Sequence, residues 1–566
     1  MIRMFTTNIV REQTELGGSW KMLQLSERDE VIKEYMAVIP SCWESMRGLE
    51  DFRGHCRYLK TIQTKAGNYR LIFNGVSHTA NVYFDGAHIG YHYGAYTPFD
   101  IVLPNVSEGE HILEVVADNR FSEGSTLHIP NDYRSWGGIT RPVVLEKISD
   151  AFIRYIHITP KQTNAGWDAY IEIAVNNVSA KDNTLNAKVT IEGQTVEFDK
   201  ITFTDGVCKL NTNLSFENVK AWCHENPALY MARAELICDG KVVDDLNERF
   251  GFREVKVVGR DILVNGRAIY IKGFNRHEEF GVLGNAVPEN AMAMDLDIIA
   301  ATGANLVRTS HYPNDERFLD LCDERGFFVW EEAHARQIYA KKMSHPNFKA
   351  QAGACIDEMI INHYNHPSII IWGLLNECES FTDIGRDAHI FHYDRIKSLD
   401  KSRPVTAAAN KFFKDICHDL PDILSFNIYP KWYYDHEPVD FINKLEAYAR
   451  EQKDVDRPIL ISEFGAAAIY GYRAFSHVKY SEDRQADILK ELIETFYKID
   501  KVSGMIIWMF ADGRVDNTFT DWNSRPKTQN NKGVVDIYRR PKMSYYTVSD
   551  LFNKMANFVD EKENEK

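Results

Sequence analysis

The chain has 566 residues, which is too long for one ordinary domain and fits about two to four. Its 44% hydrophobic and 26% charged residues are typical of a globular protein, and its formal net charge of −15 argues against nucleic acid and anionic membranes as partners. Nine cysteines without a CxxC pair argue against a disulfide framework and indicate a reducing compartment. Because the N-terminus has no apolar leader segment and no apolar run approaches roughly 18 residues, we expect a cytoplasmic protein without a membrane span.

The first 146 residues show short runs of alternating apolar and polar residues, separated by turn signals such as Asn74-Gly75 and Asp85-Gly86. This pattern predicts a jelly-roll β-sandwich. The stretch 128–142, HIPNDYRSWGGITRP, is too irregular for a strand because it is rich in glycine, proline and aromatic residues. We expect it to be a loop that reaches into a neighbouring domain.

Residues 147–252 repeat the β pattern with shorter strands, which predicts an immunoglobulin-like sandwich without the Cys–Trp–Cys spacing of antibody domains. From residue 253 to residue 566, apolar strands alternate with amphipathic helical stretches, and eight such strands predict a (β/α)8 TIM barrel. The predicted strands cover 268–275, 304–310, 327–332, 368–377, 404–409, 423–429, 458–464 and 503–510. The predicted helices cover 291–301, 314–325, 346–365, 384–399, 438–452, 483–499 and 541–556. The whole chain is therefore predicted to be a multidomain α and β protein.

Two of the predicted barrel strands end in a glutamate. The unbroken apolar run IIIWGLLNE ends at Glu377, and PILISEFG carries Glu463 in a matching position. Either glutamate alone would be a common surface charge. Since the carboxyl ends of barrel strands share one face, the matching contexts favour a carboxylate pair in one pocket.

Glycoside hydrolysis is chemistry that uses two carboxylates and no metal, one to protonate the leaving oxygen and one to attack or stabilise the sugar centre. A metal site built on His277, His311 and His334 is the alternative, but their spacing matches no zinc motif such as HExxH. We therefore expect neither a metal nor a cofactor. Each histidine alone is more commonly a structural hydrogen-bonding group, whereas several polar groups at strand ends favour an active site.

The chain resembles glycoside hydrolase family 2 along its whole length, since that family also carries a jelly roll and an immunoglobulin-like domain before its barrel. The motifs that carry the resemblance are Asn376-Glu377, Ser462-Glu463-Phe464-Gly465, Asn275-Arg276-His277-Glu278 and Arg308-Thr309-Ser310-His311-Tyr312-Pro313. The resemblance implies that Glu377 is the general acid/base, that Glu463 is the nucleophile, and that Asn376 binds the sugar 2-hydroxyl. Repulsion between two close carboxylates should raise one pKa, which we expect for Glu377, while Tyr429 keeps Glu463 ionised.

The loop after strand 8 bears on the identity of the sugar. Asn530 and Lys532 resemble the Asn-x-Lys motif of β-glucuronidases, which grips the C6 carboxylate of the substrate. A lysine and an amide suit this task because a carboxylate prefers a charge-assisted partner and an orienting donor. On its own, so short a motif would be read as a solvated polar loop. The functional interpretation of Asn530 and Lys532 therefore depends on the rest of the family pattern. Further expected substrate contacts are Asn427, Tyr429, Tyr433, His277, His311, Asp132 from the 128–142 loop, and Trp508 at the pocket floor.

The run after strand 3 departs from the β-glucuronidase pattern. Those proteins carry small apolar residues after the acidic pair, whereas this chain has Arg336. An arginine there could bind the axial 4-hydroxyl of galacturonate, so we predict a β-galacturonidase or a dual galacturonidase/glucuronidase acting on terminal uronides. A strict β-glucuronidase, a β-galactosidase of the same family and a non-catalytic carbohydrate-binding protein remain alternatives. The segment 337–348 is short, which indicates an open entrance to the pocket, suited to the ends of oligosaccharides. For the assembly, we expect a homo-oligomer.

Overall fold

A computed structural model describes residues 2–179, 185–516 and 524–564, and its N-terminal part is a sandwich of two antiparallel sheets. Side chains that alternate along each strand fill the core between them, as Leu113, Val115 and Ala117 do on one strand. In spatial order, the smaller sheet contains Gln13–Glu15, Val143–Ile148, Gly67–Phe73 and Phe99–Val106. The larger sheet contains Val31–Ile39, Gly18–Leu25, His55–Thr64, Gly109–Asp118, Thr79–Phe84 and Ala87–Tyr93.

The middle of the chain is a second sandwich with a core of its own. One sheet contains Ala151–Thr163, Gly166–Asn177 and Val207–Phe216. The facing sheet contains Gln194–Phe198, Leu185–Ile191, Tyr230–Cys238 and Lys241–Phe250. A small antiparallel sheet of Val255–Val258, Asp261–Val264 and Arg267–Ala268 then leads into the barrel.

Eight parallel strands close into a barrel, because the last of them pairs with the first. Barrel strands 1 to 8, in chain order, are Ile271–Asn275, Leu306–Thr309, Phe328–Glu332, Ile369–Asn376, Val405–Ala409, Ile423–Asn427, Ile459–Phe464 and Val502–Ile507. The helices are Glu289–Ala300, Glu316–Arg325, Ala340–Met343, Phe348–His363, Asp383–Leu399, Pro438–Gln452, Glu482–Tyr497, Met543–Phe552 and Val559–Asn564. A short 3₁₀ turn, Phe412–Lys414, stands between strands 5 and 6 where a helix would complete the repeat. The predicted fold class is confirmed.

The N-terminal sandwich is joined to the barrel through the predicted loop. Tyr96 stacks on Tyr312 of the barrel, with ring centroids 3.7 Å apart. The buried Arg141 donates to the barrel carboxylate of Glu278 at 2.5 Å and to the carbonyl of Pro313 at 2.8 Å. The Arg141 contacts hold the 128–142 loop over the carboxyl ends of the strands, and the Tyr96 stack is a second contact outside that loop. Among the described residues, no helix is both long enough and apolar enough to cross a membrane.

Candidate active site

A cavity of about 280 Å³ opens at the carboxyl ends of the barrel strands. Loops that follow strands 3 to 8 supply most of its wall, and the N-terminal sandwich supplies one residue. The lining residues are Asp132, Arg336, Gln337, Glu377, Asn410, Phe412, Asn427, Tyr429, Tyr433, Tyr434, Glu463, Trp508, Arg525 and Lys532. Both strand-end glutamates therefore face one space.

Glu463 lies near the end of strand 7 and is 4% exposed. Its Oε2 accepts a hydrogen bond from the Tyr429 hydroxyl at 2.7 Å, and its Oε1 accepts one from Arg308 at 3.2 Å. Burial, together with the charge of nearby Glu377, raises the pKa of Glu463 to about 8, although Arg308 and Tyr429 oppose the shift. Arg308 and Tyr429 stabilise the ionised form of Glu463, but burial has the larger effect on its pKa.

Glu377 follows strand 4 and is less deeply buried than Glu463. Its Oε2 accepts from Gln337 at 2.8 Å and its Oε1 accepts from Asn427 at 2.9 Å. From the sequence we expected Tyr429 to keep Glu463 ionised, whereas burial raises the pKa of Glu463 because the desolvation of that carboxylate is the largest effect. The sequence motif around Glu463 could not show this rise in pKa, since the rise depends on burial.

Asn376 belongs to a buried network around Arg308. The Oδ1 of Asn376 accepts from Arg308 at 2.8 Å and from Asn427 at 3.1 Å. Arg308 also donates to Glu332 at 2.9 and 3.0 Å, which fixes its guanidinium. The Nδ2 of Asn376 is buried and has no hydrogen-bond partner among the described residues. Asn376 itself is not among the lining residues of the described cavity, although it directly precedes Glu377.

A cluster of cationic side chains surrounds Asp132 at one end of the cavity. The carboxylate of Asp132 pairs with Arg336 at 2.7 Å and with Arg525 at 2.8 Å, and it accepts from Asn530 at 3.2 Å. These cations hold the pKa of Asp132 well below its usual range despite its burial. Lys532 donates to the Tyr433 hydroxyl at 2.9 Å, and its own burial lowers its pKa. We call Arg336, Arg525 and Lys532 the cationic end.

The predicted aromatic floor is present, but the two predicted histidines pack against it. The His311 ring stacks on Trp508 at 5.0 Å, and the His277 ring is perpendicular to Trp508 at 5.3 Å. In the part of the chain that the structure describes, the cavity wall includes Trp508 but neither histidine. Burial lowers the pKa of both rings, that of His277 to about 3, so both are neutral near pH 7.

A possible metal-ligand group lies outside the described cavity wall. Within the described ranges, Asp320, Asp323 and His366 have ligand atoms within 4.8 Å of one another. Arg3 donates to Asp320 at 2.7 Å, and the His366 Nδ1 is 2.6 Å from Asp323. Since a guanidinium already neutralises this group, its geometry fits an ion-pair network better than a metal ligand set.

The motifs missed five cavity residues: Gln337, Asn410, Phe412, Tyr434 and Arg525. Gln337 directly follows Arg336 and Asn410 directly follows strand 5, so their positions at strand ends were a signal present in the sequence. Arg525 stands alone in a polar loop, where nothing in the pattern separates a buried arginine from a solvated one. Only the fold brings it to Asp132.

Comparison with known proteins identifies the family. The model of the glycosyl hydrolases family 2 TIM barrel domain matches residues 255–557, the family's sugar binding domain model matches 56–149, and the model described as glycosyl hydrolases family 2 matches 151–253. Structures of a family 2 β-galacturonidase from Eisenbergiella tayi, bound to glycerol or to galacturonate, share 44% identity with TM-scores of 0.95 and 0.94, covering 99% of this chain and 99% or 100% of theirs.

Two curated relatives are more distant. The β-glucuronidase of Streptococcus agalactiae is 27% identical over 583 residues, covering 94% of each chain. The β-galactosidase of Thermoanaerobacterium thermosulfurigenes is 30% identical over 502 residues, covering 84% of this chain and 65% of that one. With a barrel model that matches more than half of the chain and a site built on two strand-end glutamates, this protein is a glycoside hydrolase that belongs to family 2.

Proposed function

We propose that this enzyme is a retaining exo-β-hexuronidase that prefers terminal β-galacturonides. The observation that carries the proposal is the cationic end, which lies in the same cavity as Glu377 and Glu463. A buried lysine and arginines suit the C6 carboxylate of a uronic acid, because a buried anion requires charge-assisted partners. The cavity of about 280 Å³ is near the lower limit of small-molecule sites, which suits one terminal sugar.

The contacts of the two glutamates fit a double displacement. The reactive state has the proton on Glu377 and an ionised Glu463. Glu463 attacks the anomeric carbon while Glu377 protonates the leaving oxygen, and Glu377 then takes a proton from the water that releases the sugar. Arg308 and Tyr429 hold the attacking carboxylate, and they stabilise its anion as the transition state forms. The unpartnered Nδ2 of Asn376 would donate to the sugar 2-hydroxyl.

Arg336 supports galacturonate as the preferred sugar. Arg336 is 6% exposed and lines the cavity, and its guanidinium is held by Asp132 and by Asn131 at 2.6 Å. A fixed donor in this wall suits an axial 4-hydroxyl. The likeness at 44% identity to a β-galacturonidase supports the same sugar, whereas the β-glucuronidase relative at 27% supports the equatorial epimer as the second candidate.

The proposal is tested by comparing kcat/KM for nitrophenyl β-galacturonide, β-glucuronide and β-galactoside under identical conditions. We expect galacturonide to be turned over best, by roughly tenfold or more over glucuronide, which corresponds to about 1.4 kcal/mol. Galacturonide hydrolysis at the background rate would contradict the proposal. Turnover of the galactoside alone would identify a β-galactosidase, and sugar binding without turnover would identify a carbohydrate-binding protein.

Lys532→Ala separates uronides from neutral sugars. Because the variant removes a charged partner of a buried carboxylate, it should lower kcat/KM on the uronides by roughly 30-fold to 1,000-fold, or about 2–4 kcal/mol, and on the galactoside far less. Lys479→Ala is the matched control, because Lys479 is exposed and its ammonium lies 4.5 Å from the Trp432 ring, next to the site. Equal losses on all sugars would exclude a role for Lys532 in binding the carboxylate.

We also propose a cytoplasmic homo-oligomer without nucleic-acid partners. Nine cysteines, all within the described ranges, are free thiols, which suits a reducing compartment, and the net charge of −15 disfavours nucleic acid. The strand Val31–Ile39 at the edge of the larger N-terminal sheet exposes Met36 and Val38, which suits contact with a second copy. Light scattering after size exclusion tests this, and a monomeric mass would contradict the assembly.

A further inference from the structure

The loop after strand 5 adds uncharged side chains to the cavity wall, unlike the residues of the cationic end. The backbone N–H of Glu377 donates to the carbonyl of Ala408 at 2.8 Å, which places the loop after strand 5 next to the acid/base. That loop contributes Asn410 and Phe412 to the cavity wall. Since the general acid must lie beside the leaving oxygen, groups next to Glu377 face the leaving group rather than the uronic acid.

Phe412 lines this wall although its backbone has an unfavourable conformation. Its φ is +49°, in the left-handed region that a bulky side chain seldom adopts. Phe441 packs edge-on against the ring at a centroid distance of 5.0 Å, which fixes its orientation while part of it stays exposed. Two neighbouring residues of the wall, Gln337 and Glu377, also have positive φ, at 52° and 53°. Backbone strain that persists at a cavity indicates a side chain retained for its position.

Asn410 presents an unsatisfied acceptor close to Phe412 in the chain. Its Oδ1 is buried and has no hydrogen-bond partner among the described residues. A buried carbonyl oxygen without a partner is unfavourable, and a hydroxyl group of a ligand would satisfy it. Asn410 and Phe412 thus give one cavity wall an apolar ring and a hydroxyl acceptor. These are the two features that a pyranose requires, since its C–H face is apolar and its edge carries hydroxyls.

We propose that Phe412 and Asn410 form a subsite for a sugar leaving group, with the pyranose face against the phenyl ring and one hydroxyl donating to Asn410. The inference rests on the proposed function, because it takes Glu377 as the acid that protonates the leaving oxygen. The preferred substrate is then the β-galacturonosyl end of an oligosaccharide, rather than a galacturonide of a simple alcohol or of a flat aromatic compound.

The test compares substrates that share the galacturonosyl group and differ in the leaving group: β-galacturonosyl fluoride, nitrophenyl β-galacturonide and a β-galacturonosyl-(1→4)-glucose disaccharide. Fluoride offers nothing for the subsite to bind. We expect Phe412→Ala to lower kcat/KM on the disaccharide at least tenfold more than on the fluoride, and Asn410→Ala to do so roughly threefold to tenfold more. Phe412→Tyr keeps the ring and should retain most of the disaccharide activity.

Phe413→Ala is the matched control, because Phe413 is exposed and its ring packs on Phe441 and Tyr448, outside the described cavity wall. Equal losses on the fluoride and the disaccharide in Phe412→Ala would overturn the subsite, and so would a loss confined to the nitrophenyl substrate, which would indicate an aromatic leaving group. If the unmodified protein does not hydrolyse galacturonosyl fluoride, the proposed sugar fails instead, and the same variants are compared on the glucuronosyl series.

Discussion

Burial of Glu463 links stability to pH. Its pKa is about 8 in the folded protein against an ordinary value of 4.5, so the folded chain holds this proton more tightly than the unfolded chain does. The free energy of unfolding should therefore fall as pH rises from about 4.5 to about 8, by roughly 1.4 kcal/mol for each unit of the shift. A neutral glutamine at this position escapes that penalty.

We therefore predict that Glu463→Gln abolishes turnover and yet raises the thermal midpoint relative to the unmodified protein, with a larger difference at pH 8 than at pH 5. Scanning calorimetry at one scan rate measures both midpoints. Glu34→Gln serves as the control, because the Glu34 carboxylate is on the surface. A difference that does not change between the two pH values would show that Glu463 carries no excess proton.

Arg336 should determine the preference between epimers. Replacing it by glutamine removes the fork of donors at the wall, so we expect the ratio of kcat/KM for galacturonide to that for glucuronide to fall by roughly tenfold to 100-fold, or about 1.4–2.7 kcal/mol. Arg336→Lys keeps the charge beside Asp132 without the fork, and it should lower the ratio as well. If kcat/KM falls equally on both sugars, Arg336 does not distinguish the epimers and serves only to hold Asp132.

The residues that were predictable are those with a positional signal. Glu377 and Glu463 end apolar strands and Lys532 belongs to a family motif, and all three line the cavity. Asn530 of the same motif is not a lining residue and donates to Asp132. The raised pKa of Glu463 was not predictable, because it depends on desolvation, which arises only when the chain is folded. The burial of Arg525 depends in the same way on the loop that brings Asp132 to it.

At the scale of elements, the 128–142 loop completes the site of another domain. Asp132 on this loop is the common partner of Arg336, Arg525 and Asn530. Removing its carboxylate removes the anion with which Arg336 and Arg525 both pair, so the cationic groups repel one another more strongly. We predict that Asp132→Ala lowers kcat/KM on uronides at least 100-fold, about 2.7 kcal/mol, mainly through loss of the fixed geometry.

Steady-state kinetics measure this loss, with Asp51→Ala as the control. Asp51 pairs with Arg134 of the same loop at 3.3 Å, but its side chain is 70% exposed. We expect the control to stay within about twofold of the unmodified enzyme. Activity retained in Asp132→Ala would mean that the barrel loops alone position the cationic end.

The eight strands were predictable because fully buried parallel strands are continuous apolar runs, as in Ile369–Asn376. The residues at which the strands end were not predictable. Strand 6 was predicted to reach residue 429, whereas it ends at Asn427, which places Tyr429 in the loop that lines the cavity. Strand ends are set by ladder hydrogen bonds rather than by the apolar pattern.

At the scale of the molecule, buried ion pairs fasten the N-terminal sandwich to the barrel. Arg141 and Glu278 are 4% and 1% exposed, and Arg141 also donates to the carbonyls of Tyr96 and Pro313. Removing one partner of a buried pair leaves the other charge uncompensated, which costs about 3–5 kcal/mol. We predict that Arg141→Met lowers the thermal midpoint by several degrees and reduces activity on every sugar alike.

Lys21→Met provides the control for this prediction. The Lys21–Glu34 pair has a similar distance, 2.8 Å, but the lysine side chain is 45% exposed, so its loss should change the free energy of unfolding by less than about 1 kcal/mol. Equal midpoints for the two variants would show that the sandwich and the barrel are held together mainly by other contacts.

The order of the three domains was predictable because the hydrophobic pattern changes along the chain, from short alternating runs to long apolar strands separated by helices. The domain boundaries near residues 146 and 252 remain predictions. How the sandwich docks on the barrel was not predictable, because contacts such as Tyr96 on Tyr312 join residues more than 200 positions apart and leave no periodic signal.

Covalent trapping tests the central claim most directly. A 2-deoxy-2-fluoro-β-galacturonosyl fluoride slows both steps of a double displacement, so the glycosyl-enzyme accumulates and its site can be located by peptide mass spectrometry. We predict one 2-fluorogalacturonosyl group on the peptide that contains Glu463, formed in proportion to the loss of activity. Labelling at Glu377, or labelling only by the glucuronosyl analogue, would contradict the assignment of the nucleophile or of the sugar.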